Sequence, residues 1–169
     1  MKKSYITLSL LALFMLLFST EIKAQDSLEI EGVIYHSSAQ VNNIDAKVYI
    51  DNTLFKNIQL HDNNKLITNI PLGEIVTVEF NAPGYYVKRI MFDTHVPPDY
   101  KKKSLYYKFD VDLYSEDEIQ DINISGLDFP IGLVKYNKNK FDENTPYTRR
   151  KKSEHIDMLK KTKRTSSGK

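Results

Sequence analysis

The chain has 169 residues, with 24 Lys and Arg against 22 Asp and Glu, and neither cysteine nor tryptophan. That length suits one domain able to bury roughly 70% of the surface its unfolded chain exposes. The missing cysteines exclude a disulfide framework, a thiolate zinc site and a lipid-modified cysteine, and a formal charge of +2 gives no global case for nucleic acid as a partner.

The first element in the chain is an address. Lys2 and Lys3 precede an apolar run from Ile6 to Phe18, and Ala24 places a small residue at a cut before Gln25. This is the pattern of a secretory signal over residues 1–24. The run falls short of the ~20 residues that a transmembrane helix needs, so an anchor is the weaker reading. We expect an exported protein, periplasmic or associated with the outer membrane and not lipidated on cysteine. Removing Lys2, Lys3, Lys23 and Glu21 with the leader leaves 21 residues of each sign, so the small excess of charge belongs to the leader.

From Leu28 to Tyr114 the sequence runs on period two, the spacing of half-buried strands. Leu28, Ile30, Gly32 and Ile34 fall on one side of a first strand, opposite Glu29, Glu31, Val33 and Tyr35. Ala46, Val48 and Ile50 alternate with Lys47, Tyr49 and Asp51, and Asp51-Asn52-Thr53 supplies turn chemistry before a return from Leu54 to Leu60. Leu66, Thr68 and Ile70 follow a turn at His61 to Asn64. Pro71-Leu72-Gly73 leads to Val76, Val78 and Phe80, and Ala82-Pro83-Gly84 leads to Tyr86, Lys88, Ile90 and Phe92. After Pro97-Pro98 and Lys101 to Lys103 comes the clearest strand. Leu105, Tyr107, Phe109, Val111 and Leu113 face one way there, and Tyr106, Lys108, Asp110, Asp112 and Tyr114 the other.

About seven short strands with no long helical pattern between them close best as two packed sheets. The expected fold is all-β: an antiparallel Greek-key β-sandwich over residues 25–115. Residues 116–148 read as an extension packed on the sandwich, with an acidic helical turn from Glu116 and an apolar patch at Ile131, Leu133 and Val134 that suits an arm or an extra strand. Residues 149–169 read as a basic tail, helical at first with Thr145 as cap and Pro146 in the first turn, and disordered from Thr165. The tail holds nine basic residues against Glu154 and Asp157, which leaves it +7 and the body −7.

Two stretches carry a resemblance, Asp45-Ala46-Lys47-Val48-Tyr49-Ile50 and Asn81-Ala82-Pro83-Gly84-Tyr85-Tyr86-Val87-Lys88-Arg89-Ile90. With Gly32-Val33-Ile34 as an opening strand, they resemble the carboxypeptidase regulatory-like domain, also called transthyretin-like or prealbumin-like, over roughly residues 28–114. Asn63 to Thr68 stands where that family carries a threonine-rich, glycine-containing turn. Small exported proteins of Bacteroidetes-type bacteria often join this domain to a segment similar to Phe129 to Tyr136 and a later Tyr147-Thr148 pair. The resemblance implies an accessory, prealbumin-like fold and no peptidase activity.

The residues themselves offer little chemistry. His36, His61, His95 and His155 share no metal-ligand spacing and are expected in solvent. No serine sits in a G-x-S-x-G context. The acidic cluster at Glu116, Asp117, Glu118 and Asp121 lacks the glycine and closing glutamate of a calcium loop, and Asn123-Ile124-Ser125 matches a glycosylation acceptor. No catalytic residue, metal or cofactor is expected. Tyr35, Tyr49 and Tyr106 on outward faces, with Arg149, Arg150, Lys151 and Lys152, are the candidate partner surface. The expectation is a non-enzymatic envelope module that binds or supports an envelope protein or cell-wall component, the tail touching an acidic surface. A glycan or peptidoglycan module, and an enzyme with an unrecognised site, are the alternatives.

Overall fold

A computed structural model describes residues 26–60, 63–100, 105–119 and 128–166, with side chains described up to residue 158. The leader and its Ala24–Gln25 cut, His61, Lys101 to Lys103, Asp121 and the Asn123 acceptor lie outside the described residues.

The fold is an all-β sandwich, with two helices among the described residues. Among the described residues ten strands run in chain order: β1 Ser27–His36, β2 Ala39–Gln40, β3 Ile44–Ile50, β4 Thr53–Leu60, β5 Lys65–Pro71, β6 Ile75–Asn81, β7 Lys88–Asp93, β8 Leu105–Asp112, β9 Gly132–Asn137 and β10 Lys140–Glu143. Helix α1 is Glu116–Ile119 and helix α2 is Thr145–Ser166. In one sheet β1 is central, with β5 and the short β2 pairing along it and β8 pairing as well; the other runs β10-β9-β7-β6-β3-β4.

The alternation places the side chains as expected. Leu28, Ile30 and Ile34 from β1, Val76, Val78 and Phe80 from β6, and Val111 from β8 are buried between the sheets. Turns follow their residues too. Asp51 and Asn52 both take positive φ, at 45° and 65°, the backbone of a two-residue hairpin turn. Gly84 sits at φ 78° behind Pro83, and Tyr85 N–H closes that turn on the Ala82 carbonyl at 3.1 Å.

Two features differ from the expectation. β8 runs parallel to β1, with Leu28 opposite Leu105, and β9 runs parallel to β7, with Ile90 opposite Gly132. The sheets are therefore mixed. The apolar patch after residue 130, read as an arm or an extra strand, lies in strand β9, which pairs with β10 to extend the larger sheet at its edge. Finally, α2 passes through the expected tail boundary without a break and reaches Ser166, beyond Thr165 where order was expected to end. Its cap is Asn144 and not Thr145. Tyr147 N–H donates to Asn144 Oδ1 at 3.3 Å, and Thr148 N–H to the Asn144 carbonyl at 3.0 Å.

Candidate functional site

The site lies where the end of β8, α1 and the first turns of α2 meet the larger sheet. Thr148, Lys151 and His155 fall at i, i+3 and i+7 of α2 and so share one face. Thr148 is 3% exposed and His155 2% exposed, and the helix packs on β9 and α1. Lys151 stays on this face by pairing with Glu154 at 2.8 Å and lying 5.0 Å from the centre of the Phe129 ring. Tyr147 hydroxyl donates to the Pro130 carbonyl at 2.9 Å, tying the helix start to the segment that enters β9. Ile156 points outward and is 45% exposed. The helix is seated by polar side chains.

Beneath it lies Lys88, on the inward side of β7 and 5% exposed. Its Nζ donates to the Asp112 carbonyl and stands 3.4 Å from the centre of the Tyr114 ring. A cation over an aromatic face is attracted by the ring's quadrupole, which offsets part of the lost hydration. The opposite partner of Tyr114 is His155, edge-on at 6.3 Å. Burial pushes the Lys88 ammonium down to about 8; Asp112 and Glu118 oppose the shift and Lys152 adds to it. Tyr114 thus turns toward the helix and is not part of an outward tyrosine face. His155 is buried against the expectation of solvent, and His36 is half-buried, its Nδ1 2.8 Å from the Leu113 carbonyl and its ring 5.3 Å from Tyr85. His95 stands on an exposed loop, with Nδ1 2.8 Å from Asp93 Oδ1.

The candidate surface residues do not form one patch. Tyr49 lies on the outer face of the larger sheet beside Glu79, at 3.5 Å. Tyr35 and Tyr106 lie on the outer face of the smaller sheet, six residues apart along β1, since Tyr106 pairs with Glu29 and Tyr35 with Asp112. That spacing is about 20 Å. Tyr106 donates to Glu31, which Lys65 at 2.8 Å and Lys108 at 3.2 Å also hold. Those partners, Lys65 and Tyr106 foremost, draw the Glu31 carboxyl down to about 2. The basic residues do gather on α2. Arg149 is exposed, Arg150 reaches Glu154 at 3.8 Å and Lys152 reaches Glu143 at 3.9 Å.

Next to this seat, β8 and β9–β10 leave a cleft of about 280 Å³ between the sheets. Tyr107 and Phe109 line it as a stacked pair, 6.2 Å apart and inclined by 20°. Thr148 from α2 closes one end, and its buried hydroxyl makes no hydrogen bond among the described residues. Burial pushes the Tyr107 phenol up to about 12, with Glu143 and Asp142 adding to the shift. The phenol is therefore a donor at neutral pH. Sequence reading missed Lys88, Thr148, His155 and the cleft. One signal for Lys88 was present, a lysine at an inward position of an apolar alternation.

Among the described residues no group of three or more His, Asp or Glu side chains is placed to hold a metal ion, and no helix is long and apolar enough to cross a membrane. No family model matches the chain, and no curated protein matches its sequence. Solved structures share parts of the fold. The dioxygenase domain of a dioxygenase–carbohydrate-binding protein fusion from Streptomyces sp. SirexAA-E is 12% identical, with a TM-score of 0.42 over 57% of this chain and 84% of that one. The 3-chlorocatechol 1,2-dioxygenase of Rhodococcus opacus 1CP is 9% identical, with a TM-score of 0.41 over 57% of this chain and 62% of that one. S.CueP is 12% identical, with a TM-score of 0.37 over 56% and 66%. Likeness this distant carries no argument about activity.

Proposed function

We propose that this chain is an exported, non-enzymatic β-sandwich module of the bacterial envelope, which binds or supports another envelope component through its basic helix. The observation that carries the reading is the mounting of α2. Its first turns are seated by Thr148, Lys151 and His155, while Arg149, Arg150 and Lys152 remain on the exposed side of the same turns. The helix then continues to Ser166 through Lys160, Lys161, Lys163 and Arg164. A seated base with a basic continuation suits an acidic partner surface, whose attraction acts over roughly 8 Å at physiological salt. The leader pattern at Lys2, Lys3 and Ala24 and the resemblance to carboxypeptidase regulatory-like domains support the envelope setting.

The test is a comparison of the full chain with one ending at Met158, which keeps the described seat and removes the continuation. Cell fractionation and crosslinking in the native host should recover the full chain with an envelope component in a salt-sensitive manner, with a mature N-terminus at Gln25. The shortened chain should fold with the same Tm and lose that association. Equal association of both chains, or an intact Met1 on cytoplasmic protein, refutes the reading.

A further inference from the structure

One end of the larger sheet carries an open recess of about 490 Å³, which shares no lining residue with the cleft beside β8. Three of its side chains form a row across the strands. Gln59 of β4 pairs with Asp45 of β3, which pairs in turn with Asn81 of β6. Directly opposed residues hold their side chains on one face, about 5 Å apart. Ile44, Leu60 and Phe80 beside them are buried, so the row faces outward. Gln59 Nε2 donates to the Ile44 carbonyl at 3.2 Å, which fixes the amide and leaves its oxygen as an acceptor. The side chains of Asn43, Asp45, Asn81 and Glu116 line the same recess and make no hydrogen bond or ion pair with another described residue. The apolar wall is the half-buried Tyr85, whose ring stands edge-on to His36 at 5.3 Å. Its turn is tied at both ends, by Tyr85 N–H to the Ala82 carbonyl at 3.1 Å and Glu116 N–H to the Gly84 carbonyl at 2.9 Å. The recess is therefore preformed, and a ligand has little of it to order.

The lining is chiefly carboxylate and amide, with one aromatic ring. A carboxylate accepts on both oxygens, and an amide donates and accepts in one plane. That set suits a ligand whose hydroxyls donate and accept side by side. A tyrosine ring, apolar on its face and polar at its tip, suits the C–H face of the same ligand. Charge narrows the class further. Asp45 and Glu116 line the recess and no lysine or arginine does, since Lys47 lies one row further along the face. A phosphate or a uronate is therefore disfavoured. A metal ion finds too few ligands, because no group of three or more His, Asp or Glu gathers among the described residues. Ligand pockets span roughly 300–1,000 Å³, so this volume takes about one or two sugar units. We propose that the recess binds a neutral glycan, with Gln59, Asp45 and Asn81 on the hydroxyls of a pyranose and Tyr85 against its ring. The inference is independent of the basic helix's partner.

The probes are cellobiose, maltose, lactose, mannobiose and N,N′-diacetylchitobiose, titrated separately into the full chain and followed by NMR. At least one should shift the amide signals of Asp45, Asn81 and Tyr85 at millimolar concentration. Asp45→Ala should weaken that probe about tenfold, as the loss of hydrogen bonds to a charged group does. Asn81→Ala should weaken it about fivefold, the worth of one neutral hydrogen bond. Both residues face outward, and thermal scans confirm that each variant is folded. Asp45→Asn keeps an acceptor oxygen and should hold the sugar within about threefold of the native affinity, the loss of its charge costing less than the loss of the bond. Digalacturonic acid should bind more weakly than the neutral probe. Calcium chloride alone is the control for a cation. Absence of shifts in the recess with all five neutral sugars overturns the proposal, as does unchanged affinity in folded Asp45→Ala and Asn81→Ala chains. Shifts there with calcium alone that Asp45→Asn removes make the recess a cation site and overturn it too.

Discussion

Lys88 shows how a single residue can be placed by strand geometry against its own hydration. The alternation of β7 points it inward with Ile90 and Phe92, and the fold answers with the Asp112 carbonyl and the face of Tyr114. Because burial lowers its proton affinity to about 8 from an ordinary 10.5, the unfolded chain binds this proton more tightly. Stability should therefore rise as pH climbs from about 8 toward 10. Lys88→Met, which keeps the length of the side chain, should abolish that rise in urea unfolding midpoints measured across the range. Glu31 works in the opposite sense. Its carboxyl is held near 2 by Lys65, Tyr106 and Lys108, so its contribution is present above its ordinary 4.5 and is lost as pH falls toward 2. Glu31→Gln should be less stable than the native chain at pH 7, and the two should converge by pH 2.

At the scale of elements, β8 pairs with β1 along its length and makes one close approach to it. Its Phe109 ring lies over Gly32 of β1, where a Cβ would come within 2.6 Å of two ring carbons. The same ring meets Phe80 at 6.0 Å and Phe92 at 5.7 Å. Gly32→Ala should cost about 1–3 kcal/mol by overpacking, and Phe109→Leu in the same chain should recover part of it, since the obstruction is the ring. Phe109→Ala alone should cost about 3 kcal/mol, at the low end for a phenylalanine because the ring is only half-buried. Asp110→Ala, on the exposed side, should change stability by less than about 0.5 kcal/mol. Chemical denaturation of the four variants decides the register: equal small effects at 109 and 110 would contradict it.

For the molecule as a whole, the division of charge and the seat of α2 separate two deletions that composition alone would treat alike. Removing 149–169 takes away His155 and uncovers Tyr114 and Lys88, at a cost of about 1–3 kcal/mol for the burial lost. Tm should fall by several degrees. Ending the chain at Met158 leaves the described buried face intact and should not lower Tm. Thermal scans of both forms at low and high salt check this. A fall that salt reverses would mean that the charges, and not the polar seat, hold the helix.

Which residues face inward follows from the order of amino acids alone. A period of two specifies the two faces of every strand, and Asn, Gly and Pro fix where strands must turn, so Leu28 to Leu113 sort into inward and outward sets by pattern. The placement of the basic residues on a helix is legible for the same local reason. Period two does not say which strand lies beside which. The parallel pairing of β1 with β8 and of β7 with β9, and the joining of the β9–β10 hairpin to the larger sheet, depend on contacts between residues far apart in the chain. The candidate site belongs to that second kind. His155 sits among charged residues in a segment with thin apolar content, and nothing local distinguishes it from a solvated histidine. Its burial requires Tyr114, which comes 41 residues earlier and is itself turned inward by Lys88 from another strand. Polar side chains bury only where the fold supplies their partners, and those partners exist only once the two sheets and the helix have met.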